Sequence, residues 1–325
     1  MSAPRIGIVG ARRRRQGLGP FVARDLAKAG ANVVAFVTTH ADSRDAAHEE
    51  LATRSGISAR GYLTLDEMLA NERLDALAIL SPSNSHRAYL DAALTAGLPV
   101  LCDKPLVWND DDIAAETCRI VSAFESAGLL LWENCQWPYS LTSYERLFPG
   151  SLDRPPKRFW MSMQPASAGL QALGDSLPHP LSLLQTLIPG DGARLEGTRF
   201  KLEDPEAGIT ILDFRYRTLD WSTQVQVRLV PSAVSPRAAA YALDGRRADR
   251  RVGDDDYQLS FVDESGRAVS LDDPLTQLVA DFVAALTGSG PREQHPGITE
   301  RMELLGQLVR SYRDWERGQS AKVKR

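Results

Sequence analysis

Short apolar runs alternate with helix-length segments through the first 130 residues, and this alternation narrows the fold more than any other property of the chain. Residues 6–9, 32–37, 74–80 and 98–104 read as strands, with near-continuous apolar stretches rather than an alternation of apolar and polar positions. Strands of that kind are covered on both faces, which is the situation of a parallel sheet flanked by helices. The helices expected between them cover residues 20–29, with Phe21, Val22 and Leu26 on one side and Gly30 as the stop, and residues 44–55, ending at Gly56. Further helices are expected over 65–71, opened by Thr64, over 86–96, stopped by Gly97, and over 110–127, before another apolar run at 129–132. Repeated strand–helix–strand units imply right-handed crossovers in one sheet.

The pattern changes after residue 130. Residues 158–163 and 210–216 look like strands, and 221–229 alternates cleanly: Trp221, Thr223, Val225, Val227 and Leu229 face one way, and Ser222, Gln224, Gln226 and Arg228 the other. That is a sheet with one dry and one wetter face. Residues 257–262 and 267–271 flank Asp263-Glu264-Ser265-Gly266 as a hairpin. Residues 246–256 are charge-rich and read as a loop or strand connection. Two amphipathic helices close the chain, marked by Leu275, Leu278, Val279, Phe282 and Leu286 and by Met302, Leu305, Leu308, Val309, Tyr312 and Trp315. The pattern gives an α/β half over 1–130 followed by an α+β half over 131–325. The last helix is expected to pack back toward the first domain. A length of 325 residues suits two domains.

Charge and cysteines exclude several function classes. With 38 basic and 42 acidic residues the net charge is −4, which argues against a dedicated nucleic-acid or membrane-surface binder. No apolar run approaches the ~20 residues of a membrane span, and Met1-Ser2-Ala3-Pro4-Arg5 is not a secretory leader. Cys102, Cys118 and Cys135 have no metal-like spacing, so the expectation is a cytoplasmic protein without a bound metal.

The first strand ends at Gly10 and the next helix starts near Pro20. The segment between them, Ala11 to Gly19 with Arg12, Gly17 and a run of arginines at 12–15, occupies the dinucleotide-binding position, where free N–H groups and the helix dipole meet a pyrophosphate. Arg12 and Arg15 stand where the fingerprint has glycines, and the loop is two or three residues too long. Three readings of the arginines remain, ranked as phosphate ligands first, a solvated loop second and nucleic-acid contact third. The second strand ends at Thr38-Thr39-His40 without the acid that would bind a ribose 2′-OH; Thr38, Thr39 and Arg44 suit a 2′-phosphate, which favours NADP over NAD. The fourth expected strand ends in Asp103-Lys104-Pro105, which puts a lysine at the carboxyl end of a strand, where such sheets bind ligands.

Several segments together resemble the Gfo/Idh/MocA oxidoreductase family. Ser81-Pro82-Ser83-Asn84-Ser85-His86, a helix ending Ala96-Gly97, and the strand ending Cys102-Asp103-Lys104-Pro105 match its T-P-N-x-x-H and C-E-K-P segments. Glu133-Asn134 and Pro138, then Asp175 to Leu184 with His179, then Asp281-Phe282 and Gly318 extend the similarity along nearly the whole chain. Asp103 replaces the family's glutamate, Leu177 a glycine and Ser182 its second aspartate.

The resemblance implies an α/β fold with an N-terminal dinucleotide-binding Rossmann domain over 1–130 and a substrate-binding α+β domain over 131–325 with an open, mainly antiparallel sheet, and hydride transfer between NADP(H) or NAD(H) and a hydroxyl or carbonyl carbon of a small polyol, sugar or cyclitol. It carries catalytic roles onto Lys104, Asp175 and His179, and cofactor contacts onto Ser81, Asn84, His86, Asp103 and Lys104, beside Gly10, Ala11, Arg12, Gly17, Thr38, Thr39 and Arg44. Asp175 and His179, four apart, are expected on one face of one helix. His179 is expected to move the hydroxyl proton, Lys104 to stabilise charge on the reacting oxygen and Asp175 to orient the imidazole, with the roles of Lys104 and His179 exchangeable. Trp132 and Trp160 are expected in the core, and Trp137 either there or at the substrate. The alternatives on the same fold are a non-catalytic dinucleotide-binding regulator and a redox-neutral lyase or isomerase with bound nicotinamide. A homo-oligomer through the second-domain sheet is also expected.

Overall fold

The computed structural model describes residues 2–12, 17–108, 112–253, 258–290 and 295–323, the last helix by backbone alone at 295, 296 and 320–323. Arg13, Arg14 and Arg15 of the arginine run, Asp110 at the expected start of the fifth helix, and Tyr257 lie outside the described residues. The chain divides into two compact units, one of residues 1–134 with 275–299, the other of 135–274 with 300–325.

The first unit is built on β1 (Arg5–Val9), β2 (Asn32–Val37), β3 (Arg60–Tyr62), β4 (Ala76–Ile79), β5 (Val100–Cys102) and β6 (Leu131–Glu133). They form one sheet in the order β3-β2-β1-β4-β5-β6, with every neighbouring pair parallel. The chain leaves β1 to one side through β2 and crosses to the other through β4, which makes the β1–β4 boundary the switch point of a doubly wound fold. Helices α1 (Gly19–Lys28), α2 (Ala41–Ser55), α3 (Leu65–Asn71), α4 (His86–Thr95) and α5 (Ile113–Ser126) make the connections. Local chemistry sets their ends. Thr64 caps α3 by accepting the Glu67 N–H at 3.2 Å. Gly56, in the left-handed region at φ 64°, ends α2. That helix begins three residues earlier than expected, at Ala41 after His40.

The second unit opens with α6 (Leu141–Leu147), β7 (Arg158–Met163), α7 (Gly169–Ser176) and α8 (Pro178–Leu187). Seven strands follow: β8 (Arg194–Asp204), β9 (Ile209–Arg217), β10 (Ser222–Leu229), β11 (Ala239–Leu243), β12 (Arg246–Val252), β13 (Leu259–Val262) and β14 (Ala268–Leu271). The sheet order is β14-β13-β12-β11-β7-β10-β9-β8. Only β7 and β10 pair in parallel; the other pairs are antiparallel. Thr223, Val225, Val227 and Leu229 of β10 are buried, as the alternation required. Two helices remain: α9 (Pro274–Leu286), whose residues from Leu275 on group with the first unit, and α10 (His295–Val323).

Three expectations need correction. The charged stretch from Arg246 is strand β12 as far as Val252, held between β11 and β13, whose backbone ladders supply what its side chains do not signal. Trp160 is half-buried on the wetter face, with the Arg247 guanidinium 4.9 Å over its ring, rather than in the core. Asp175 and His179 belong to α7 and α8, two helices that meet at Leu177. Leu177 keeps helical angles and the Leu177→Leu173 and Leu181→Leu177 backbone bonds hold at 2.8 and 3.2 Å, but Pro178 and Pro180 have no N–H to continue the ladder. No helix among the described residues is long and apolar enough to cross a membrane.

Candidate functional site

In the first unit, most sequence-selected residues lie at or just past the carboxyl end of a strand, while Gly17 precedes α1 and Arg44 and His86 lie in the first turns of α2 and α4. Gly10 follows β1 with φ 89°, and a Cβ there would stand 2.7 Å from the Leu80 carbonyl and the Ser81 nitrogen. Gly19 opens α1 against the same turn: its Cβ would stand 2.4 Å from the Ala11 carbonyl carbon. Ala11 is fully buried between them. Gly19 thus fills the close-packing role that the loop's extra length hid in the sequence. Gly17 is half-buried just before α1. The first turn of α1 carries no acid and its N-cap residue Leu18 makes no side-chain bond, so neither caps the helix's first N–H groups.

Arg12 runs toward the start of α2, where its Nη1 donates to Ser43 Oγ at 3.3 Å, while its buried Nε has no partner. Ser43 was not anticipated. Thr38, nearly buried, donates to the His40 carbonyl, and Thr39 is exposed. Arg44 lies along Gly61 with its aliphatic stem and reaches Asp45 at 3.2 Å. At the end of β4, Ser81 and Ser85 share a 2.7 Å hydroxyl pair and Asn84 is exposed.

The Lys104 loop is clamped from three sides. The Asp103 carboxylate accepts the Lys104 N–H at 2.9 Å and Asn134 Nδ2 at 3.2 Å. His86, buried, puts Nδ1 3.0 Å from the Pro105 carbonyl and Nε2 2.8 Å from that of Ser81. Glu133, also buried, accepts the Leu106 N–H at 2.9 Å. The Lys104–Pro105 peptide is cis. His86 therefore faces a backbone carbonyl with each ring nitrogen and donates its N–H to one of them, supporting the loop. Glu133 and Asn134, which carried only a family resemblance in the sequence, hold it from the other flank. Burial raises the pKa of the neighbouring Cys102 thiol, helped by the Asp103 and Glu133 carboxylates.

In the second unit, Asp175 accepts from Ser167 Oγ at 3.0 Å and Gln171 Nε2 at 3.1 Å. His179, 8% exposed, meets the edge of Trp137 with ring centroids 6.2 Å apart. Ser182, in place of the family's aspartate, donates to the His179 carbonyl at 2.8 Å. Trp137 also carries the Arg250 guanidinium 5.5 Å from its ring centroid. Arg237 and Arg250 gave no signal in the sequence beyond an ordinary loop and a charge-rich run. Among the described residues, no group of three or more His, Cys, Asp or Glu is placed to hold a metal ion.

Residues 4–135 match the model of the GFO_IDH_MocA family, an oxidoreductase family with an NAD-binding Rossmann fold. The chain is 34% identical over 89 residues to inositol 2-dehydrogenase of Leifsonia xyli subsp. xyli, 27% of this chain and 25% of that protein. It is 37% identical over 92 residues to D-xylose 1-dehydrogenase (NADP(+)) 2 of Haloferax volcanii, 28% of this chain and 27% of that protein. These alignments span about a quarter of the curated relatives' length. Among solved structures, GenD2 from gentamicin A biosynthesis in complex with NAD superposes with a TM-score of 0.70 at 16% identity, covering 97% of this chain and 95% of that one. Myo-inositol 2-dehydrogenase from Lactobacillus plantarum gives 0.67 at 16% identity, covering 96% and 98%. At such identities the likeness is one of fold.

Proposed function

For a chain that belongs to the Gfo/Idh/MocA oxidoreductase family through its dinucleotide-binding domain, we infer a dehydrogenase or reductase that moves a hydride between NADP(H) or NAD(H) and a hydroxyl-bearing carbon of a small polyol, sugar or cyclitol-like molecule. The observation that carries this reading is the clamped Lys104 loop at the end of β5, in the same sheet as a glycine-walled turn that opens onto an uncapped helix start. The residues fit a dinucleotide. Gly10 and Gly19 let backbone approach where a Cβ would block it, and the first turn of α1 suits a pyrophosphate. Thr38, Thr39 and Arg44 support NADP as the preferred form, and Arg12, drawn to Ser43 at the start of α2, adds a second guanidinium on that side.

The nicotinamide, when bound, supplies the hydride acceptor or donor. The Lys104 ammonium is assigned to hydrogen-bond the reacting oxygen and stabilise its negative charge. His179 is assigned to take the hydroxyl proton in oxidation and return it in reduction, a task suited to an imidazole near neutral pH. Asp175, held by Ser167 and Gln171, is assigned to orient the substrate or the imidazole.

Fluorescence titration with NADPH and NADH, followed by a polyol, sugar and cyclitol panel, tests the reading. Binding of at least one nicotinamide below ~1 mM, with its redox state changing on some member of the panel, is expected. On that substrate Lys104→Ala is expected to lower kcat/KM by about 10²–10³-fold and His179→Asn by about 10²–10⁴-fold. Unchanged turnover in Lys104→Ala overturns the assignment. Tight binding without turnover across the panel favours a regulator.

A further inference from the structure

Arg250 is out of place in its sheet. Across the ladders it stands opposite Ala239 of β11 and Phe261 of β13, and beyond Ala239 lies Met163 of β7. Its same-face neighbour along β12, Ala248, is fully buried, and so is Tyr241, which pairs with Ala248. This is the apolar face, the one that Val225 and Val227 also line. A guanidinium on such a face is stable only where something answers its charge and its five N–H donors. Among the described residues, the protein answers little of it. Nη2 donates to the Arg237 carbonyl at 2.7 Å, the Trp137 ring lies beneath, and Nε has no partner. Asp273 contributes a favourable field that desolvation outweighs, so the pKa of Arg250 is lowered.

Arg237, whose carbonyl takes that bond, carries a second guanidinium with little to answer it among the described residues. It precedes Ala239 by two residues at the start of β11, its Nε is also buried and unpartnered, and desolvation lowers its pKa against the opposing field of Asp175. No described carboxylate lies within ion-pair distance of either guanidinium, and Asp175 is engaged by Ser167 and Gln171. Trp137 joins the cluster to the candidate base: one indole touches both the Arg250 guanidinium and the His179 ring. A purely structural strap would need the single Arg250–Arg237 carbonyl bond; an underused guanidinium on the same indole as a histidine suits an oxyanion.

We propose that Arg250 and Arg237, beside Trp137 and His179, recognise an oxyanion on the substrate, so that the molecule this chain acts on is a hydroxylated carbon skeleton bearing a carboxylate or a phosphate rather than a neutral polyol. The assignment of that molecule as a substrate rests on the hydride-transfer reading; the receptor itself does not.

Calorimetry on the whole chain with saturating NADPH tests it, using D-glucuronate and D-gluconate as carboxylates, D-glucose 6-phosphate as a phosphate, and D-glucose and myo-inositol as neutral counterparts. At least one acid is expected to bind about tenfold or more tighter than its neutral counterpart, the increment of a charge-assisted arginine contact. The arm that responds separates carboxylate from phosphate. Arg250→Met, which keeps the stem and removes the charge, is expected to abolish the difference, and Arg250→Lys to restore part of it. Should Arg250→Met fail to fold, Arg237→Met, in the segment leading into β11, makes the same test. Equal affinity for acids and neutral sugars overturns the proposal, as does an acid preference that survives both methionine variants. Acid-selective binding without any change in nicotinamide redox state upholds the receptor and overturns the hydride-transfer reading, so the two failures are distinct.

Discussion

Gly10 answers two demands at once: a backbone φ of 89° and a separation from the Leu80 carbonyl that leaves no room for a methyl group. Gly10→Ala is expected to lower stability by about 1–3 kcal/mol, read as a shift in denaturant midpoint, and to weaken NADPH binding in a fluorescence titration. A variant as stable as the parent with unaltered binding contradicts this account of the turn. The position was legible in the sequence, because a glycine ending the first apolar run of a strand–helix–strand unit has few other uses. Gly19 was not, since the longer loop hid which glycine packs against Ala11. Ser43 and Arg250 were illegible for another reason: each acquires its meaning from a residue distant in sequence, Arg12 in one case and Trp137 in the other. Lys104 was visible from its place at the carboxyl end of a strand, whereas His179 was visible only because its motif resembles a known family.

At the scale of elements, regular patterns were read well and special chemistry less so. Helix α3 spans the seven residues expected, because Thr64 supplies a cap that apolar periodicity alone would not. Removing that cap in Thr64→Ala is expected to cost about 1 kcal/mol, measurable as a fall in the thermal midpoint, with Thr64→Ser restoring most of it. Strand β12 shows the opposite case. Its arginines and aspartate break the apolar alternation, yet the strand forms because neighbours on both sides satisfy its backbone, and Arg247 stacks on Trp160 and donates to Asp249 at 2.7 Å. The junction of α7 and α8 follows from the two prolines. A spacing of four residues places side chains on one face only where the helix is unbroken, and here Pro178 and Pro180 fall between Asp175 and the rest of α8.

Across the whole molecule, chain order and structural grouping diverge after residue 274. Helix α9 follows the second sheet in sequence but groups with the first unit, where Phe282 meets Trp132 of β6 with centroids 6.1 Å apart. Leu278, Val279 and Phe282 are essentially fully buried. Phe282→Ala is therefore expected to destabilise the parallel-sheet unit by about 3–5 kcal/mol, seen as earlier loss of NADPH binding on titration with urea, although residue 282 lies 180 positions or so beyond the Lys104 loop in sequence. The broad plan of two sheets, one parallel and one mainly antiparallel, was legible from the spacing of strands and helices. The return of α9 to the first unit was not, because an amphipathic helix declares which of its faces is buried and not what buries it.

The Lys104 loop carries a consequence for anyone who would transplant it. Its shape is held by a histidine 19 residues before Pro105 and a glutamate 27 residues after Leu106. The short strand-end motif is thus a dependent part, and grafting Asp103-Lys104-Pro105 onto another scaffold would move the lysine without its orientation. The portable module is the span from Ala76 through Asn134, the ends of β4, β5 and β6 and the buried side chains that lock them together.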